Sequence, residues 1–142
     1  MKDDLEDLLK VTRILRERAL EAYRKDLSEE AQLKTERDQI DAMRDAARQG
    51  FAEIDARQML GADMQWQGWL VRRRSEINHG MAMARAKQAH SGAAARLAFS
   101  RDEAAKDVAK KAEDKARAAR VSAEESSLER LAALMRVRSE PD

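Results

Sequence analysis

The chain has no cysteine and, apart from Pro141, no proline. The first absence excludes a disulfide framework, a thiolate metal site and a cysteine nucleophile. The second leaves residues 1–140 without the one side chain that breaks a helix outright. Glycine is sparse, with five in 142 residues, and aromatics make up only 4%. That is thin for a globular core and argues against a loop-rich fold. No segment approaches the roughly 20 apolar residues needed to span a bilayer. The opening residues, Met1-Lys2-Asp3-Asp4-Leu5-Glu6-Asp7, are acidic and lack an apolar run, so neither a signal peptide nor a transit peptide is expected there. The expected location is the cytoplasm.

What the chain has instead is charge. Charged residues make up 39% of it, yet the net charge is only +1. Such a composition is normal for a coiled coil or long helix rich in Ala, Glu, Lys, Leu and Arg. The near-zero net charge hides a gradient. Residues 1–60 carry 12 basic and 15 acidic side chains, and residues 64–101 carry seven basic side chains against the single acid Glu76.

Spacing turns composition into an expected fold. Asp3 or Asp4 can accept from the free N–H groups of a first helical turn. Leu5, Leu8, Thr12, Leu15, Ala19 and Ala22 then follow the alternating three-and-four spacing of one helical seam. Asp26 interrupts it, and Leu33, Ile40, Met43, Ala47 and Ile54 resume it. Gly61 suits a helix C-cap, because glycine takes the left-handed conformation without a β-carbon penalty, and Asp63 suits the next N-cap. Farther on, Ala95, Ala98, Asp102, Ala105, Ala109, Ala112, Ala116, Ala119 and Ala123 form a heptad seam made almost wholly of alanine. Such a seam lets helices approach closely. The expected architecture is all-α: a single domain of residues 1–142 folded as an antiparallel coiled-coil hairpin. Helix one covers about 4–60, the turn 61–63 and helix two about 64–138.

Folding about residue 62 places residue i near 124 − i. Ile54 then meets Leu70, Ala47 meets Ile77, Met43 meets Met81 and Ile40 meets Ala84. Leu20, Leu15, Leu8 and Leu5 meet Ala104, Ala109, Ala116 and Ala119. Large faces small, as interdigitating layers require. Tyr23 and Phe99 fall opposite each other and are expected to touch. Residues after about 122 have no partner, yet they carry Leu128, Leu131, Leu134, Met135 and Val137 at helical spacing. An exposed apolar stripe marks a partner site.

Chemistry finds no foothold in these residues. His79 and His90 lie eleven apart with no third ligand at a useful spacing, and read as surface histidines. Phosphate-cradling glycine motifs and nucleophile elbows are missing. The carboxylates suit i,i+4 pairing on a solvated helix. The chain is expected to be no enzyme, to bind no cofactor, metal or small-molecule substrate, and to act by contact. Trp66 and Trp69 stand just past the proposed turn, beside Arg72, Arg73 and Arg74. They could pack over Ile54, Arg57 and each other, or present an outward aromatic anchor among positive charges.

The layout resembles the FliJ family of flagellar export proteins and their type III secretion counterparts, through helix order, turn position and the segment Gln67-Gly68-Trp69-Leu70 through Ile77. That segment is similar to the family's aromatic–aliphatic pair followed by a helical apolar position, although Arg73 stands where an aliphatic residue is expected. The resemblance implies a cytoplasmic stalk, peripheral to an export apparatus at the inner membrane, serving flagellar assembly and motility or a virulence-type system. Its partners would be a hexameric export ATPase, a membrane export-gate protein and export chaperones. Leu5, Leu8, Leu15, Leu128, Leu131, Leu134 and Met135 would contact the ATPase ring. Trp69, Leu70 and Ile77 would contact the gate, with Arg72, Arg73 and Arg74 forming a basic tip. The competing readings are a basic coiled-coil module for nucleic acid or an anionic membrane, and a self-associating scaffold.

Overall fold

With no helix breaker before Pro141 and seams at three-and-four spacing, two long helices are the physical expectation. A computed structural model describes the backbone of residues 2–50 and 56–139 and the side chains of residues 2–49 and 61–139. Within that range α1 spans Lys2–Gly50 and α2 spans Ala56–Ser139. They pack against each other as an antiparallel helical hairpin. Two units divide the chain: Met1–Arg13 with Ser100–Asp142, and Ile14–Phe99.

The expected turn is displaced. Gly61, Ala62 and Asp63 all lie inside α2, and no described glycine has a positive φ. Gly61 is therefore a tolerated helical glycine, at a cost of about 1 kcal/mol. Residues 51–55, between the two helices in sequence, lie outside the described residues, as does the pairing expected of Ile54.

The reason lies in register. Within Ile14–Phe99, the close pairs Tyr23–Gly92, Glu30–Arg85 and Asp41–Arg74 have residue numbers that sum to 115. In the other unit, Thr12 and Asp102 sum to 114. The expected value was 124. Two glycines explain the shift. A β-carbon at Gly92 would lie 3.2 Å from Cε2 of Tyr23, and one at Gly80 would lie 3.2 Å from Cδ1 of Leu33. Both are closer than the roughly 3.5–4.0 Å of ordinary carbon contact. Two bulky side chains in the middle of the α1 seam thus settle over two of the α2 glycines, the two that face α1. Tyr23 consequently does not meet Phe99; Phe99 lies beside the Arg16 guanidinium, with the guanidinium carbon 5.7 Å from the ring centre.

The α1 seam is Leu5, Leu9, Thr12, Arg16, Ala19, Tyr23, Asp26, Glu30, Leu33, Arg37, Ile40, Arg44 and Ala47, all wholly or partly buried. Its spacing alternates four and three throughout. Leu8, Leu15 and Met43, expected on this seam, are exposed, while Ala22 also faces outward. On α2 the matching seam runs Gln67, Leu70, Arg74, Ile77, Met81, Ala84, Gln88, Ser91, Ala95, Ala98, Asp102, Ala105, Ala109 and Ala112. The alanine part is where it was expected as far as Ala112; Ala116, Ala119 and Ala123 are exposed.

Apolar burial concentrates in one place. Ile40, Leu70, Ile77 and Met81 form a buried cluster with Leu33 against it. Each large member contributes about 1.5–3 kcal/mol. Elsewhere the seam is mostly polar or small, with Leu5, Leu9 and Tyr23 as partly buried exceptions on α1. Asp102 is 1% exposed and accepts from the Thr12 hydroxyl at 3.0 Å and from Lys106 at 3.2 Å. Ala105, one turn on, is also buried. Ser91 Oγ is buried with no hydrogen-bond partner in the protein.

Two outcomes are expected from this packing. Ala105→Leu overfills a closed layer and costs about 1–3 kcal/mol, read as a lower thermal midpoint; an unchanged midpoint would show that the layer is open. Ser91→Ala removes a buried, unpaired hydroxyl, whose burial costs about 1–3 kcal/mol. Its midpoint is expected to be unchanged or higher, and a clear drop would contradict the burial of that oxygen.

Candidate interaction surfaces

Register decides which sequence-selected residues remain available. At 114 or 115, the start of α1 lies alongside residue 112 or 113 of α2. Every residue from Glu113 to Ser139 is helical and exposed. These residues extend about 40 Å at 1.5 Å per residue. The unpartnered segment therefore starts about ten residues earlier than expected. On it Leu128, Leu131, Leu134 and Met135 are between 56% and 67% exposed.

The expected ring-contact set is only partly brought together. Leu5, Leu8, Leu128, Leu131, Leu134 and Met135 belong to one unit and Leu15 to the other. The Thr12–Asp102 register sets Leu5 alongside Ala109 in the seam, about 28 Å along α2 from Leu128. Leu8 is exposed near that paired segment. The leucines of the protruding helix thus form a surface of their own.

The leucines also sit on a different face from the hairpin seam. Counting the heptad on from Ala109 and Ala112 gives Ala116, Ala119, Ala123, Ser126, Arg130, Ala133 and Val137. Leu128, Leu131 and Met135 fall outside that series and make their own three-and-four spacing. They are a second stripe, with Leu134 beside it.

In the unit Ile14–Phe99, the expected gate-contact set also divides. Leu70 is 0% and Ile77 1% exposed. They are core residues of the hairpin, so neither can be a contact surface in this fold. Trp69 remains exposed, and so does Trp66, each at 45%. Their rings stack with centroids 5.4 Å apart and planes 11° apart. Residues three apart on a helix face the same way, which brings the rings together. Met64, not selected from the sequence, is exposed two residues before Trp66. The expected packing over Ile54 and Arg57 involves side chains outside the described residues.

The basic tip is corrected by ion pairing. Arg73 Nε donates to Glu36 at 2.7 Å and its Nη1 to Glu76 at 3.1 Å. Arg74 Nε donates to Asp41 at 2.8 Å. Arg85 reaches Glu30 at 2.8 Å and Lys87 reaches Glu29 at 3.6 Å. Of the three tip arginines only Arg72 has no such pair across the hairpin among the interactions described. The charge gradient in the sequence is thus largely a ladder, with basic α2 against acidic α1. Gln88 joins it by donating to Glu30 and to the Asp26 carbonyl. The Arg85 guanidinium, and after it Gln88, hold the Glu30 carboxyl below its ordinary value. Glu36 and then Glu76 raise the pKa of Arg73.

No helix among the described residues is long and apolar enough to cross a membrane. Among the described residues no group of three or more His, Cys, Asp or Glu is placed to hold a metal ion.

Glu30 has a consequence for acid stability. A carboxyl whose native pKa is lowered stabilises the fold above its unfolded-state value, and that contribution is lost as pH falls through the native one. Glu30→Gln is expected to reduce the drop in thermal midpoint between pH 7 and the region below about pH 4.5. An equal drop in both proteins would show that Glu30 is not held by its partners.

Comparison with protein-family models, with curated proteins and with solved structures finds no match to this chain.

Proposed function

We propose that this chain is a non-enzymatic stalk of a flagellar or type III protein export ATPase. In this reading it promotes assembly and activity of the ATPase ring and links the ring to the membrane export gate, working from the cytoplasmic side of the inner membrane. The observation that carries the reading is the protruding helix. Residues 113–139 have no α1 partner, are exposed throughout, and carry four large apolar side chains within eight positions, from Leu128 to Met135. Long helices without packing are marginal in water, so this segment suits enclosure by another protein. A ring lumen would enclose one helix on all sides.

The assignment of surfaces differs from the sequence expectation. The ring contact would be Leu128, Leu131, Leu134 and Met135, with Leu5, Leu8 and Leu15 left to the hairpin or its flanks. The gate contact would centre on the stacked Trp66 and Trp69, since Leu70 and Ile77 are core. Export chaperones would be further partners. The reading of the chain as a basic module for nucleic acid or an anionic membrane draws less support. Four of the seven cations in residues 64–101 pair with carboxylates of α1, and paired cations release few counterions on binding a polyanion.

The test is ATP hydrolysis by the export ATPase of the source organism, alone, with the full chain, and with a chain ending at Asp114. That truncation keeps every hairpin seam residue through Ala112. Full-length protein is expected to stimulate turnover and the truncated form to lose the stimulation. A full-length chain without effect, under conditions where the ATPase forms rings, would remove the proposal. Equal stimulation by both forms would move the ring contact to the hairpin.

A further inference from the structure

The second stripe is self-complementary. Around the leucines, the acids Glu124, Glu125 and Glu129 come first and the bases Arg130, Arg136 and Arg138 come after. All of these side chains are exposed. A second copy laid antiparallel and centred on Leu131 brings Leu128 of each copy to Leu134 and Met135 of the other. It also brings Glu124 and Glu125 of each copy to Arg138 of the other. A parallel arrangement sets acid against acid and base against base, which is unfavourable between like charges at close range. The apolar positions 128, 131 and 135 have the three-and-four spacing that two helices need to interlock.

We propose that, away from other partners, the stripe of residues 124–138 pairs antiparallel with the same stripe of a second copy of this chain. The occupant follows from charge order and from face. Leu128, Leu131 and Met135 lie off the seam that α1 covers, so pairing leaves the Thr12–Asp102 and Ala105–Ala112 layers of both hairpins untouched. Only about two heptads contribute, so association is weak and reversible, with a dissociation constant on the order of 10–100 µM. Self-pairing hides the leucines while the chain is free and yields them to a partner with a larger apolar surface. This goes beyond the stalk reading and does not depend on it.

The test needs no ATPase. Sedimentation equilibrium of the full chain over that concentration range is expected to show a monomer–dimer equilibrium. Leu131→Glu in the full chain is expected to abolish it, and so is truncation after Asp114. Circular dichroism checks that both variants keep the hairpin. Because the chain has no cysteine, orientation can be read directly. Glu125→Cys protein mixed with Arg138→Cys protein is expected to cross-link as a mixed pair, in preference to either protein with itself. A monomer throughout the range overturns the proposal and assigns the stripe to an unlike partner. A dimer that survives Leu131→Glu overturns it by placing association on the hairpin or the tryptophan pair. Preferential like-with-like cross-linking overturns the antiparallel arrangement.

Discussion

Everything in this hairpin follows from where two bulky side chains of α1 can lie. Tyr23 rests over Gly92 and Leu33 over Gly80, and each glycine leaves room for one ring or branched chain. Both helices carry unbroken three-and-four seams, so other registers a heptad away would still interleave. A register that set Tyr23 or Leu33 against a side chain on α2 would have to displace one of them. Once these two pairs are seated, the cations of α2 within the same unit reach the carboxylates of α1. The end of the paired region at Ala112 follows from the same count.

That register also explains why a chain with so small a core holds one arrangement. Among the described residues its apolar cluster has four buried members. The rest of the seam contains Thr12, Arg16, Asp26, Glu30, Arg37, Gln88 and Asp102. Buried or half-buried polar groups add little net stability, but they penalise every alignment that leaves them unpaired. Gln88 and Arg85 both converge on Glu30, and a slide of one heptad would leave the part-buried Gln88 and Glu30 without each other. The polar seam limits the alternatives, while Leu70, Ile77, Met81 and Ile40 supply the attraction.

Much of this was legible in the residues and some was not. The helix content followed from the scarcity of proline and glycine, and the alanine seam from Ala95 to Ala112 could be read directly. The turn could not. Gly61-Ala62-Asp63 offers a good cap pair, but a helix tolerates an exposed glycine cheaply, and local capping yielded to cross-hairpin packing. The glycines that mattered, Gly80 and Gly92, carry no local signal, because their role appears only once Leu33 and Tyr23 lie above them. Seam membership at Leu9 rather than Leu8, and Arg16 rather than Leu15, was hidden for a related reason. Hydrophobicity favoured the leucines, while the buried heptad accepted arginine stems, whose methylenes can line a seam as their charged ends reach outward. The leucine stripe from Leu128 to Met135 was visible at once from its spacing.

The protruding helix carries a geometric consequence of its own. Between Ala112, the last part-buried seam residue, and Leu128 every residue is exposed. Adding or removing one of them would leave every seam contact in place. It would also turn the leucines by about 100° around the helix axis and move them 1.5 Å along it. The direction in which this molecule offers its apolar stripe is therefore encoded as a length of chain. It can be re-aimed in single-residue steps while the hairpin that carries it stays the same.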